Sequence, residues 1–508
     1  MITLLILVTL TGAVAVSVAP RGMARLLALI FNAATLLLAL GLWRGFDPMT
    51  GGLQMIDRHE WIPAIGAQYL LGVDGLSLLL VLLTSLVFPF AFLAQKADRT
   101  FCSLMLIMQA SLYGTFTTQN FVLWFLFYEM SLIPAFLLIK IWGGANRDRA
   151  AMKFFVYTFL GSVGMLLSFL VIYRSSGTFD FAKLAQTNVQ GRLMDVLGNS
   201  TLGFLAVWLV FAGIFVGLAV KIPLFPFHTW QPDAYSEAPT GVSMVMSGVL
   251  SKMGVYGFIR LLLPLFPHQF HVLGPWLLTL AVCSIVFSSL AAWAQTDLKR
   301  MVAYLSITHL GYCMLAIFAI DPVGSNAHVD DTAALSGVFI QLVSHGITAA
   351  LLFYYIGLME ERRGKRGIAD FGGLMQCAPL FCGWMGLALF SFLGLPGLNG
   401  FIGEFLIFKG SFGLAPVAGT VAVIGLLVTA IVLLRAIQAL FSGPVAKSCE
   451  GFHELTMREN WIVLPFSLLV LWTGIAPGFL FHVINITVVQ MAYYGADALQ
   501  FMTAQFPR

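Results

Sequence analysis

Residues 125–134 read FLFYEMSLIP, with Glu129 in the middle of an otherwise apolar run that extends to both sides. A run of that length belongs in lipid. A charge at the centre of a bilayer costs from about 3 to more than about 10 kcal/mol, depending on the scale, and survives only where it faces protein or water and has a partner. The rest of the chain has to supply that partner.

Composition fixes the solvent. With 59% hydrophobic and 10% charged residues and a mean hydropathy of +0.91, most of the surface cannot face water. A helix needs about 20 apolar residues to cross the hydrocarbon, and about fourteen such runs occur between Ile2 and the region beyond Trp461. The runs are continuously apolar, without the alternation of a barrel strand, so the expected fold is an all-α polytopic membrane protein. Ile2 to Ala19 lacks a basic leader and is followed by further spans, so it reads as a span rather than a cleaved signal.

Lys and Arg set the orientation. The odd-numbered loops carry Arg21 and Arg25, Lys96 and Arg99, Arg147 and Arg149, Lys299 and Arg300, a cluster from Arg362 to Arg366, and Lys447 with Arg458. The even loops hold chiefly Arg58, Arg174, Lys183, Arg192 and Arg260. The positive-inside rule puts the odd loops in the cytoplasm and both termini outside. This bias accounts for the formal charge of +4, which carries no implication of nucleic-acid binding. The six cysteines form no C-x-x-C pair and read as small buried residues rather than a metal, iron-sulfur or haem site. No glycine-rich phosphate loop occurs, so the chain is expected to carry no nucleotide and no redox group.

The ionisable residues at membrane depth are few: Glu129, Lys221, Lys252, Glu404, His228, His309 and His345. Lys221 opens KIPLFPFHTW, residues 221–230, where Pro223 and Pro226 interrupt a helix, and snorkelling to a helix end is its alternative reading. Lys252 lies near the middle of a span, residues 240–266, and has no such alternative. The histidines fit either polar packing or proton handling. A second interruption occurs in FSFLGLPGLNGFIGEFLIFKG, residues 390–410, with Glu404 about one turn beyond it. Corresponding breaks in two halves of a membrane protein point to inverted repeats with an ion path at their interface.

The stretches 127–144, 221–260, 294–312, 341–353 and 393–405 resemble the antiporter-like proton-pumping subunits of respiratory complex I, most of all the M-type among them. The resemblance covers roughly residues 70 to 410. It implies fourteen helices, with helices 4–8 and 9–13 as inverted five-helix repeats and helices 7 and 12 broken. The corresponding segments are 1–100 for helices 1–3, 101–265 and 270–442 for the two repeats, and 443–508 for a cytoplasmic loop, the last span and the C-terminus. It implies proton transfer through Glu129, Lys221, Lys252, His345 and Glu404, with His228 and His309 as accessory positions, and Glu129 paired with Lys221. An opposite charge within a few ångströms holds both members ionised, and breaking the pair frees the lysine's proton to move on.

The same resemblance places FMN, iron-sulfur clusters and quinone in partner subunits, with none in this chain. It also implies neighbouring L- and N-type subunits, and a bacterial inner membrane is expected because no import sequence precedes the first span. Tyr235, in QPDAYSEAPT, stands where several M-type members carry histidine. Related Mrp-type cation/proton antiporters, energy-converting hydrogenases and proton-coupled inorganic-carbon uptake complexes share the channel, though Mrp-type chains generally resemble one with lysine at the position of Glu404.

Overall fold

A computed structural model of the chain describes residues 1–20, 22–95, 98–186, 201–321 and 328–492, together with 189, 191 and 193. The chain is overwhelmingly helical. In order, the main helices are α1 (Ile2–Val18), α2 (Ala24–Gly45), α3 (Gly75–Leu93), α4 (Arg99–Thr117), α5 (Phe121–Trp142), α6 (Arg147–Ser176), α7 (Thr201–Lys221) and α8 (Trp230–Glu237). They are followed by α9 (Thr240–Leu265), α10 (Pro267–Trp293), α11 (Leu298–Ala319), α12 (His328–Arg363), α13 (Pro379–Phe392), α14 (Asn399–Leu414), α15 (Pro416–Phe441), α16 (Met457–Ile475) and α17 (Gly478–Ala492).

Among the described residues ten helices are long and apolar enough to span a membrane, or eleven if α16 and α17, bent by 66° to each other, count as one. The difference from fourteen lies in α1 and α13, which are apolar but only 17 and 14 residues long, and in helices whose spans are broken or more polar. The outer surface is apolar: Leu37, Trp276 and Leu427 are each more than 60% exposed, as lipid-facing side chains must be. This is a multi-pass membrane protein.

The all-α expectation needs one correction. Gln54–Ile62 and Ala67–Val73 form an antiparallel hairpin, β1 and β2, closed by a short 3-10 turn and Gly66 at φ +65°. β1 is mostly exposed, so it never presents the continuous apolar run by which spans are recognised.

Packing inside lipid gains little from hydrophobicity and relies on close approach and polar bonds. Both occur here. Gly213 and Gly217 of α7 meet Gly161 and Gly164 of α6 so closely that a Cβ on Gly213 would strike Ser168 and the Gly164 carbonyl. Buried Tyr113 of α4 receives 2.7 Å and 3.0 Å hydrogen bonds with Ser85 of α3 and Gln109, tying three helices together with Thr35 of α2.

The Lys- and Arg-bearing turns meet at one end of the bundle. Arg366 reaches Asp297 (2.5 Å), Glu237 (3.2 Å) and Glu360 (3.4 Å), and Lys153 and Arg300 share Asp233 at 2.8 and 2.6 Å. Arg58–Asp180 and the N-terminal ammonium with Asp57 lie at the hairpin end. Arg21, Lys96, Arg192 and the C-terminus lie outside the described residues.

Candidate functional site

Lys252 sits on α9, the innermost helix, flanked by π-helical turns at Met246–Leu250 and Phe258–Leu262. Such widened turns free backbone carbonyls and recur at functional sites. Here the Lys252 ammonium takes one of them, the Ser247 carbonyl, and its other bond is to His345 Nδ1 of α12 at 2.8 Å. The lysine is fully buried and the histidine nearly so. With Lys252 protonated, a neutral His345 ring accepts at Nδ1 and carries its own proton on Nε2.

The chain continues across α11. The His345 and His309 ring centres are 5.5 Å apart, and both Nε2 atoms are buried without a partner among the described residues. His309 Nδ1 lies 3.2 Å from Glu404 Oε1 of α14 and 3.2 Å from Gln341 Nε2, which also donates to Glu404 at 3.4 Å. Phe392, the last residue of α13, stacks on His309 at 4.3 Å and covers His345 at 5.6 Å. Four of the sequence-predicted residues, Lys252, His345, His309 and Glu404, thus form one contiguous buried line, with the supposedly accessory His309 at its middle.

The two breaks expected from the prolines and glycines are present, and side chains occupy the backbone groups they free. Beyond α7, the Trp230 indole donates to the Val220 carbonyl at 2.9 Å and Ser284 Oγ accepts from Phe225 N at 2.7 Å. Between α13 and α14, Gly394 and Gly397 turn at φ +80° and +90°. Asn399 binds the Ser344 carbonyl at 3.3 Å, and its amide oxygen accepts from Thr348 and Ser391. Gly394 lies against the Glu404 carboxylate, where a Cβ would collide with Oε2. Only glycine fits, on grounds of both space and φ.

Glu129 and Lys221 stand apart from the expectation. They interact as charges, but no nitrogen-oxygen approach within 4.0 Å joins them. The Lys221 ammonium donates to Ser131 Oγ at 3.3 Å and lies 4.8 Å from the centre of the Tyr128 ring. At Ser131, directly after the turn that holds Glu129, the helical hydrogen bonding of α5 is interrupted while the backbone stays helical, as Pro134 leaves the Met130 carbonyl without its usual donor. Glu129 is half-buried beside Ser162. His228 is not brought to the line: it stacks on Phe225 at 5.6 Å, with a buried, unpartnered Nδ1. Tyr235 is fully buried and donates to the Met246 carbonyl at 2.8 Å, in the widened turn preceding Lys252.

Sequence reasoning missed Ser131, Tyr128 and Gln341. Gln341 had a signal, because it precedes His345 by four residues and so shares its helix face. All six cysteines are free thiols, four of them buried.

A family model described as NADH:quinone oxidoreductase/Mrp antiporter, transmembrane, matches residues 118–431, the region that holds every residue of this site. The chain belongs to that family. NADH-quinone oxidoreductase subunit M of Rickettsia conorii is 35% identical over 449 residues, covering 87% of each chain. The same-named subunit of Rhodobacter capsulatus is 36% identical over 480 residues, 93% of this chain and 91% of that one. Among solved structures, a chain of respiratory complex I from Thermus thermophilus with bound NADH superposes with a TM-score of 0.84 at 27% identity, over 100% of both chains.

Proposed function

We propose that the chain is the M-type proton-translocating subunit in the membrane arm of complex I, where NADH:quinone electron transfer takes place in other subunits that carry FMN, iron-sulfur clusters and quinone. The observation that carries this reading is the buried line Lys252, His345, His309, Glu404, held together by contacts of 2.8 and 3.2 Å and one 5.5 Å ring approach.

In this reading a proton leaves Lys252 through Nδ1 of His345 and passes between the two unpartnered Nε2 atoms to His309. His309 Nδ1 then acts as a selector. Carrying a proton, it donates to Glu404; without one, it accepts from the Gln341 amide, which otherwise binds Glu404. Glu129 and Lys221 form the feeding pair, seen with its members separated and the lysine parked on Ser131. Charge changes in a neighbouring subunit drive the pair together and apart.

The finer architecture belongs to the same reading: fourteen helices with inverted repeats over 101–265 and 270–442, L- and N-type neighbours, a bacterial inner membrane, and both termini on the outer side. Glu404 and the relatives' names favour complex I over an Mrp-type antiporter. The test is to purify the complex containing this chain, identify its co-purifying subunits, and measure NADH-driven acidification of reconstituted vesicles with the native chain and with Glu129→Gln. Flavin- and iron-sulfur-binding partners and pumping that depends on Glu129 support the proposal. A complex without them, or pumping unaffected by the substitution, refutes it.

A further inference from the structure

Helices α3, α12 and α16 end together at the Lys- and Arg-rich end of the bundle, and a pocket of about 140 Å³ opens between them. Its wall toward the bundle is apolar, with Leu93 and Leu358. Two arginines there, Arg458 in the lining and Arg25 just behind it, are held by backbone carbonyls alone, Arg25 also by that of Phe92 at 2.9 Å. Arg25, at the start of α2, and Arg458, at the start of α16, both donate to the same acceptor, the Leu93 carbonyl, at 2.9 and 3.2 Å. Among the described residues neither guanidinium has a carboxylate within 4.0 Å, and Arg25 Nε is buried without any partner. The nearby Glu459 is already committed, to Arg362 at 2.7 Å and to the Thr456 cap.

A second observation points the same way. Tyr354 lines the pocket, is only 2% exposed, and its hydroxyl makes no hydrogen bond among the described residues. Opposite in charge, Glu361 also lines the pocket, exposed and without an ion-pair partner.

Two cations that converge on one carbonyl repel each other unless an anion lies between them, and the Tyr354 hydroxyl at the pocket wall is free to donate to such an anion. A phosphate satisfies all three, since guanidinium forks match its oxygens and the phenol adds one more donor. The pocket lies where three spans reach the membrane surface, which is the depth of a headgroup. We propose that it binds an aminophospholipid of that leaflet, with the phosphate between Arg25, Arg458 and Tyr354, the ammonium at Glu361, and the glycerol backbone against Leu93 and Leu358. A lipid with a second negative charge in its headgroup is disfavoured by Glu361. None of these groups lies on the proposed proton line, so the two readings stand or fall separately.

The test uses the intact complex in nanodiscs containing a trace of phosphatidylethanolamine with a diazirine near the glycerol end of one acyl chain. After irradiation and digestion, label is expected on the peptides that carry Leu93, Tyr354 or Arg458. The double variant Arg25→Gln/Arg458→Gln lowers that label at least tenfold and Tyr354→Phe lowers it severalfold, while label elsewhere on the same complex stays constant and reports intact assembly. Glu361→Gln removes the preference for phosphatidylethanolamine over phosphatidylglycerol. Millimolar inorganic phosphate does not compete. Absence of label at these peptides in the native chain, undiminished label in the double variant, or protection by inorganic phosphate would each overturn the proposal.

Discussion

Replacing His309 by glutamine keeps a polar side chain of similar reach but removes the one group that joins the two halves of the buried line. In the native chain His309 Nδ1 is 3.2 Å from Glu404 and its ring is 5.5 Å from that of His345. Direct proton transfer needs heavy atoms about 2.6–3.2 Å apart or a single intervening water, so without the imidazole no titrating group connects Lys252 to Glu404. Positioned acid-base groups contribute about 10²- to 10⁴-fold to transfer rates, and flux through this chain should fall by at least about 100-fold. The structural penalty is far smaller. The lost stack on Phe392 is worth about 0.5–1.5 kcal/mol, and Glu404 keeps its hydrogen bond from Gln341. The complex should therefore assemble in normal amount. The assay is NADH oxidation together with vesicle acidification on equal amounts of assembled complex. A loss of turnover, or of protons moved per NADH, is expected. Native values for both with His309→Gln would show that the line does not carry protons through His309.

Glu129→Gln, which keeps shape and removes charge, should abolish most quinone-linked pumping with assembly intact, while Glu129→Asp stays partly active; normal acidification with Gln removes Glu129 from the mechanism. Lys221→Ala should depress activity strongly despite the small loss of contacts at Ser131 and Tyr128, and full activity would mark Lys221 as a snorkelling side chain. Glu404→Lys should lower pumping more than Glu404→Asp, because it sets a cation where His309 must deliver a proton; equal, near-native pumping by both would make Glu404 structural. Gly394→Ala should lower the thermal stability of the purified complex, through about 1–2 kcal/mol of left-handed backbone strain and collision with Glu404, and should impair pumping as well. An unchanged melting profile and unchanged pumping would show that the turn tolerates a side chain.

Some of this was legible in one dimension and some was not. Glu129, Lys252 and Glu404 stood out because a charge within an apolar run is a local signal with a large energetic penalty, and the two breaks because Pro and Gly act locally on the backbone. The central place of His309 was not legible: it depends on α11 crossing both α12 and α14, and on Phe392 closing over the rings, contacts between residues up to about 95 positions apart in sequence. The separation of Glu129 from Lys221 was hidden for another reason. The irregularity at Ser131 has a local cause, because Pro134 has no N–H to bond the Met130 carbonyl, but sequence alone does not tell how far it moves Glu129 from Lys221. The π turns around Lys252 have no residue signature, and the hairpin is hidden because its first strand is mostly exposed and mixed in polarity.

The order of chemical types along the line explains how a remote charge can drive it. Lys252 at one end is a cation when protonated, Glu404 at the other is an anion when deprotonated, and the two imidazoles between them are neutral in both resting forms. Moving one proton from Lys252 to Glu404 therefore converts a zwitterion into a neutral pair. Low dielectric pushes this equilibrium in two directions at once, because burying two ions is costly while their mutual attraction grows. When those opposing terms are comparable, a modest field decides the outcome. A unit charge arriving about 10 Å from one end, at an effective dielectric of about 20, contributes about 1.7 kcal/mol, a shift of more than tenfold in the position of the proton. In the proposed mechanism the Glu129 and Lys221 pair supplies part of such a field when its two charges move relative to Lys252. The switch in that proposed mechanism lies in α5 and the breaks beside α7, where the backbone is irregular, and the tightly packed line through α9, α12, α11 and α14 responds.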